Sequence, residues 1–578
     1  MTNITASTTG AQGVAEVIAT FEKPIVFGMP GGHTVQIYDA LRDHQDTVES
    51  VLVREESIGT VMAEAYGRLS GRVAVVMAQG AWVLGAGGIG VMEAHLGSSP
   101  MVILIDTTEG GTYSHHGPYQ SGFGGYGAYD LPTAMAAITK RTFVATDPVQ
   151  AVQMTQLAAK HALDGEPGPV AVVFHSDALL NRFTEADAAR VFIDRSYLSP
   201  VPTTTDAAIA DAAAAIKGAA RPIIVAGNGV RDDAGLDALL AFAEALDIPV
   251  ATTTSGKSVF AEDHPLAAGV MGSFGQNSAN TLVGDSDLII AVATKLGSTD
   301  TIDEKPELID AGRQTIVQVD IEALNINWTH PVAHGLLGRA GDVLPRLASA
   351  ATGVAAGGRM RVAQVREQVG YFEEIAASDP DAQVVNPRKL ARTLGETLPA
   401  NAVVMCDAGE NRIFMLHDYQ VRQGGVLMQP NGGGGMGYAV SAALAATYTH
   451  PDRQAVAVTG DGGYAMSLHG LMTAVENKRK VLVVVMDNQA LGWVKHGQGE
   501  RSFLADFAPF DLGAIAAAIG CTAITATSDD EVRAGVAAGL ENDGVTVLVV
   551  KTNLTESYLT IQTSMAGVSH EQVTSKTA

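Results

Sequence analysis

Eleven short, mostly apolar runs recur along these 578 residues, separated by longer alanine-rich stretches. The first set is Ile25–Phe27, Val73–Met77, Met101–Ile105 and Val170–Phe174; the second is Pro222–Ala226, Leu288–Val292 and Thr315–Val319. The third is Val403–Met405, Val456–Val458, Val481–Met486 and Val545–Val550. Runs without polar alternation suit strands buried on both faces, and helical stretches between them make the sheets parallel. The pattern predicts an α/β fold of three doubly wound parallel-sheet domains. The length agrees, because one hydrophobic core rarely organises so long a chain. Pro-, Ser- and Thr-rich residues 197–205 and the small-residue stretch 351–359 read as linkers. The expected organisation is therefore residues 1–190, 200–355 and 375–553, followed by a polar tail, 554–578, that is either disordered or a lid.

Composition narrows the function. The formal charge is -25, with few Lys/Arg clusters, so a nucleic-acid partner is not expected. No apolar run reaches the ~18 residues of a membrane span. The N-terminus lacks a basic region followed by an apolar one, so a cytoplasmic enzyme is the default expectation. Cys406 and Cys521 form no CxxC pair and read as core residues.

The segment from Val456 carries the most chemistry. An apolar run ends in Gly460-Asp461-Gly462-Gly463, a helical stretch follows, and a second run ends in Asp487-Asn488. Both polar ends fall at the carboxyl ends of strands, where open α/β sheets bind ligands. Glycines let backbone approach a phosphate closely. Asp461 offers a carboxylate oxygen and Asn488 an amide oxygen, the hard donors that Mg²⁺ takes alongside phosphate oxygens.

This arrangement resembles the diphosphate-binding motif of thiamine diphosphate (ThDP) enzymes. The resemblance implies ThDP and Mg²⁺ as cofactors, and Asp461, Asn488 and the Ala490 carbonyl as metal ligands. Gly460, Gly462, Gly463, Leu491 and Gly492 then lie along the diphosphate, with Gly409, Glu410 and Asn411 closing from the other side. The stretch Gln429 to Tyr438 is similar to the segment that holds the aminopyrimidine ring, which implicates Gly435 and Met436. Near the N-terminus, Arg54-Glu55-Glu56 and Ala65-Tyr66-Gly67-Arg68 resemble the family's glutamate segment and place Glu56 on the catalytic glutamate. Glu55 and Glu64 are expected at the surface. A buried Glu56 should hold its proton unusually tightly.

The resemblance reaches from about residue 10 to 555, within the acetolactate synthase, pyruvate oxidase and benzoylformate decarboxylase-like branch. Gly28-Met29-Pro30-Gly31-Gly32 and Gly256 to Leu266 are similar to acetolactate synthases. Three positions depart. Gln79-Gly80-Ala81-Trp82 replaces a Gly-Pro-Gly turn, and Gln79 aligns with a histidine of the decarboxylases. Tyr126-Gly127-Ala128 replaces a Phe-Gln-Glu segment. Lys295-Leu296-Gly297-Ser298 replaces the segment that contacts FAD, which is therefore not carried over. His115-His116 resembles a proton-shuttling pair of the decarboxylases, and His33 follows the Pro-Gly-Gly turn; histidine suits proton transfer near neutrality. Trp493, Val494 and Gly127 are candidate substrate contacts.

The implied activity is formation or cleavage of a carbon–carbon bond next to a carbonyl, on a 2-oxo acid or related small molecule. The enzyme is expected to be a homodimer or homotetramer pairing Glu56 of one chain with Asp461 and Asn488 of another. Lyase, carboligase and decarboxylase outcomes stay open, as do a 2-hydroxyacyl-CoA lyase and a non-catalytic homologue.

Overall fold

The computed structural model describes residues 4–107, 120–195, 198–372, 375 and 383–561. Three six-stranded parallel sheets form, each covered by helices. The first holds β1 (Ile25–Gly28), β2 (Glu49–Leu52), β3 (Ala74–Met77), β4 (Met101–Asp106), β5 (Arg141–Ala145) and β6 (Pro169–Phe174), in the order 2-1-3-4-6-5. The second holds β7 (Pro222–Ala226), β8 (Val250–Thr252), β9 (Ala267–Val270), β10 (Leu288–Val292), β11 (Thr315–Asp320) and β12 (His334–Leu337), in the order 12-11-10-7-8-9. The third holds β13 (Val403–Cys406), β14 (Val426–Met428), β15 (Ala455–Gly460), β16 (Val481–Asp487), β17 (Thr522–Ala526) and β18 (Val545–Lys551). Its order, 14-13-15-16-18-17, repeats the winding of the first sheet.

All eleven expected runs are strands. The seven strands without a clear run are the six edges of the three sheets, together with β8. For the exposed edges the reason is visible in burial, whereas β8 and β9 are buried but are short and built of Val, Ala, Gly and Thr. Edge strands β2, β5 and β17 alternate or expose most residues, whereas β4, β6 and β10 are buried throughout. A strand with solvent on one side needs no continuous apolar run.

Two compact units divide the chain. One comprises residues 1–200, 430–452 and 465–481, and the other 201–429, 453–464 and 482–578. The first unit thus combines the N-terminal sheet with helices from the C-terminal half. Helix Tyr438–Thr449 packs there on helix Glu56–Ser70, which also packs on helix Gly88–Leu96. In the second unit, Lys257 and Glu262 form a fully buried ion pair at 2.6 Å, and Glu262 also accepts from the Val421 amide at 2.8 Å. No helix among the described residues is long and apolar enough to cross a membrane.

Candidate functional site

In a sheet wound 2-1-3-4, the connections after the first and third strands leave in opposite directions and open a crevice at their carboxyl ends. In the third sheet this crevice lies between β13 and β15. β13 runs into Asp407-Ala408-Gly409-Glu410-Asn411, and β15 runs into Gly460-Asp461. Two of the expected segments therefore meet at the switch point, and the third, Asn488 to Gly492, follows the adjacent β16.

Asp461 starts a short helix, Asp461–Met466. Its Oδ1 accepts from the Gly462 amide at 2.7 Å, while its buried Oδ2 has no hydrogen-bond partner among the described residues. Burial pushes this carboxyl up to about 6; the Gly462 amide opposes the shift, and nearby Asp487 adds to it. The nearby backbone of Gln489 and Ala490 opposes the shift as well. The turn after β16 is fixed by Asn488, whose Oδ1 accepts from the Ala490 amide at 3.0 Å, and by Gln489 at φ 58°. A desolvated carboxylate oxygen without a partner, beside an amide oxygen and a tight turn, suits a hard cation. Among the described residues no three His, Cys, Asp or Glu gather around a metal. The donors present fit Mg²⁺ if a diphosphate completes the shell, because Mg²⁺ uses few carboxylates together with phosphate oxygens.

The space for that diphosphate is bounded by glycine. Among the described residues, chain neighbours aside, a side-chain carbon placed on Gly409 or Gly460 would have only the Asn411 Nδ2 within 4 Å, at 3.4 and 3.9 Å. Asn411 Nδ2 donates to the Ala408 carbonyl at 2.7 Å, and its buried Oδ1 has no partner. Gly463 has no such room: a methyl there would meet Thr459 Oγ1 at 2.6 Å and Asp407 Oδ2 at 2.8 Å. Asp407 is wholly buried and accepts from the Thr459 hydroxyl at 3.0 Å, which holds the two loops in register.

Glu410 has a role that its sequence position did not suggest. Its Oε1 contacts His496 Nδ1 at 2.7 Å and accepts from the Tyr558 amide at 3.0 Å. His496 Nε2 in turn meets the Leu554 carbonyl at 3.0 Å. The Glu410 carboxylate thus ties helix Gly492–Gln498 to the chain around Tyr558, and a side chain at Gly492 would strike its Oε2. Trp493 stacks on Tyr558 at 4.0 Å, with Phe274 edge-on to both, so one of its faces is covered. Val494 is 39% exposed.

The first sheet has the same crevice, between β1 and β3. His33 follows β1 and Gln79 follows β3. Asp106, the last residue of β4, joins them. Its side chain is fully buried; Oδ2 accepts from the His33 amide at 2.6 Å and lies 3.3 Å from His33 Nδ1. Gln79 Nε2 donates to Gln120 Oε1 at 2.5 Å. Gly32 has φ 53°, and a side chain there would strike Asp106 at 2.3 Å. His115 and His116 lie outside the described residues. Gly127 is exposed, at φ 82°, with open space around it.

Glu56 is the first residue of helix Glu56–Ser70 and is only 7% exposed. Burial raises its proton affinity above the ordinary carboxyl range, and neighbouring Glu55 adds to the rise. Glu55 is not a free surface carboxylate: it caps the helix, accepting from the Ser57 amide at 2.9 Å. Glu64 corrects the surface expectation outright. It is fully buried, accepts from the Tyr438 hydroxyl at 2.6 Å and the Ser99 hydroxyl at 2.8 Å, and faces Arg68 at 3.9 Å. One helical turn of alanine, tyrosine and glycine after Glu64 gave no sign that Tyr438, hundreds of residues away, would cover it.

The segment before Tyr438 lies along helix Gly88–Leu96. A side chain at Gly432 would meet Leu96 Cβ at 2.8 Å, and one at Gly435 would meet Ile89 at 2.3 Å. Met436 is half-buried. The glycines are there for close approach to a helix, not for looseness. Asp106, Gln120, Glu93 and His496 were not picked out from sequence. Asp106 had a usable signal, a polar residue at the carboxyl end of an apolar strand, the same signal that marked Asp461.

Three family models match the chain in order. The N-terminal TPP binding domain of thiamine pyrophosphate enzymes covers residues 8–124, their central domain 209–347, and their C-terminal TPP binding domain 407–550. Curated relatives include a probable acetolactate synthase large subunit of Methanocaldococcus jannaschii, 27% identical over 91% of this chain and 88% of its own length. The acetolactate synthase large subunit of Corynebacterium glutamicum is 28% identical over 91% of this chain and 83% of its own. The acetolactate synthase isozyme 3 large subunit of Escherichia coli is 27% identical over 82% and 81%.

Proposed function

The chain belongs to the thiamine pyrophosphate enzymes, in their acetolactate synthase-like branch, and on that premise we propose that it is a Mg²⁺-requiring carboligase or lyase acting on a 2-oxo acid. The observation that carries the reading is the unpartnered, desolvated Asp461 oxygen at the switch point, beside the Asn488–Ala490 turn and the open face of Gly409 and Gly460.

When bound, ThDP would supply a carbon nucleophile and an electron sink for chemistry at a carbonyl. The chain's own residues supply the rest. The Asp461 carboxylate, Asn488 amide and Ala490 carbonyl would hold the metal. The backbone around Gly409, Glu410, Asn411, Gly460, Gly462, Gly463, Leu491 and Gly492 lines the diphosphate; the Glu410 carboxylate is engaged by His496 and Tyr558. Gly435 and Met436 hold the aminopyrimidine ring. Glu56 keeps a proton on its carboxyl for that ring's nitrogen, and its burial supports the assignment. His33, seated against Asp106, handles protons at the carbonyl substrate together with His115 and His116, and Gln79 hydrogen-bonds to that substrate. Trp493, Val494 and Gly127 border the acyl group.

The reading includes no flavin: the segment where synthases contact FAD carries Lys295, whose ammonium lies over the Trp328 ring at 5.8 Å. A CoA-using lyase is less well supported. Arg231 is engaged by Asn228 and Ser258, and Arg221 by the Asp285 carbonyl, so these cations serve different neighbours. The assembly is proposed as a homodimer or homotetramer with Glu56 completing a partner's site.

The purified protein with ThDP and Mg²⁺ should exchange the C2 proton of bound ThDP faster than free ThDP does. Offered pyruvate and other simple 2-oxo acids, it should release CO₂ or form ligation products. C2 exchange at the rate of free ThDP would sink the enzyme reading.

A further inference from the structure

Glu93 is the single charged residue of helix Gly88–Leu96, whose sequence is GIGVMEAHL. It is 2% exposed. Its Oε1 accepts from the Gly432 amide at 2.9 Å, and its Oε2 accepts from the amides of Gly433 at 2.6 Å and Gly434 at 3.1 Å. Three successive backbone N–H groups converging on one anion make the concavity that elsewhere binds phosphate or another free anion. Here the chain fills it with its own carboxylate. Each bond is charge-assisted, and the carboxylate that accepts all three is buried although Gly433 and Gly434 are themselves exposed.

The residues so held are the immediate approach to Gly435 and Met436. On one side of the carboxylate Gly432 rests on Leu96, and on the other Gly435 rests on Ile89. Downstream, Gly437 turns at φ 85° into the helix whose first residue, Tyr438, is bonded to Glu64. The stretch 432–438 is therefore pinned at its start by Glu93 and at its end by Glu64, and Gly435 and Met436 are what lies between the pins.

We propose that Glu93 is a positioning residue for the cofactor: its carboxylate sets the path of the 432–434 backbone and thereby the place at which Gly435 and Met436 meet the aminopyrimidine ring. This rests on the reading of that segment as the ring's support. Glu93 touches neither cofactor nor substrate; it acts through the loop.

Glu93→Gln keeps the shape but replaces one acceptor oxygen with an amide that can only donate, so at least one of the three backbone N–H groups loses its partner. Glu93→Asp keeps both acceptors on a shorter arm. With each protein and Mg²⁺, the affinities for ThDP and for inorganic diphosphate are measured by titration. Alongside them go the C2 exchange rate of ThDP at saturation and the circular dichroism of the bound aminopyrimidine. Glu93→Gln should weaken ThDP binding about tenfold, the effect of one lost buried bond to a charged group. It should leave diphosphate affinity within about twofold, slow C2 exchange and alter the dichroism, and Glu93→Asp should recover part of each change.

Wild-type values in all four measurements for Glu93→Gln would overturn the proposal. So would equal losses of ThDP and diphosphate affinity, which mark general damage. If Glu93→Gln does not fold, amide hydrogen exchange in the wild-type protein decides. Slow exchange at Gly432 to Gly434 supports the clamp, and exchange at the rate of exposed glycine overturns it. A wild-type protein that takes up no ThDP would fail at the earlier step and remove the reading of the segment, and the proposal with it.

Discussion

Glu55 and Glu56 are adjacent carboxylates with different occupations. Glu55 turns back to cap the helix, which satisfies the Ser57 backbone amide. Glu56, one position on, is buried, and burial favours its protonated form. Glu56→Gln should leave ThDP affinity within a few-fold while slowing C2 exchange by about 10² or more, the usual worth of a positioned acid–base group. Glu55→Gln should cost stability of roughly 0.5–1 kcal/mol through the weaker cap and leave exchange near wild type. Exchange rates by NMR and urea melts of both variants check the pair, and equal exchange rates in the two would contradict the division of labour. The register of the glutamate segment was set by Tyr66 and Arg68, and the burial of Glu56 agrees with it. Glu64 was not legible, because burial by a distant segment leaves no local mark in the sequence.

At the scale of elements, three helices of the first unit share a buried polar core: Glu64 and Arg68 on one, Glu93 on the second, Tyr438 on the third. Burial raises the Glu64 carboxyl from about 4.5 to about 7, with Arg68 opposing the rise, Glu93 adding to it, and bonds from Tyr438 and Ser99 opposing it. The folded chain therefore holds a proton there that the unfolded chain has released. Stability from this group is full below about pH 4.5 and is lost as the pH rises through about 7. Thermal melts across that window should fall more steeply for the wild type than for Glu64→Gln, and parallel curves would argue against the buried carboxyl as the source. In the second unit, Gly463→Ala would push a methyl into Asp407 and Thr459 and should cost about 1–3 kcal/mol in urea unfolding. Strands followed the same logic as Glu64. Most strands buried on both faces announced themselves by composition, and the exposed edges β2, β5 and β17 did not. The crevice after β15 and β16 was legible because glycine, aspartate and asparagine interrupt apolar runs there. His496, Gln120 and Glu93 have ordinary surroundings in sequence and gain meaning only from partners brought by the fold.

At the scale of the whole molecule, the first and third sheets share one winding, and each places its polar residues at the same switch point. If a site takes Glu56 from one chain and Asp461 from another, two inactive variants can rescue each other. Mixing Glu56→Gln with Asp461→Ala after subunit exchange should restore up to about a quarter of wild-type turnover, because half of the sites in each mixed two-fold dimer are intact. No rescue in demonstrably mixed dimers would mean that both residues act within one chain.

The first compact unit also draws on residues 430–452 and 465–481, so its packing is completed by chain made last. A ribosome that has released only the first 200 residues has produced a sheet whose helix Glu56–Ser70 still lacks the cover of Tyr438–Thr449, with the carboxyl of Glu64 unanswered by the Tyr438 hydroxyl. Expressed as a fragment, residues 1–200 should be poorly soluble on their own, and protease protection of that helix during synthesis should appear only after about residue 450 has emerged. Translation order and folding order part company here: the N-terminal third must wait.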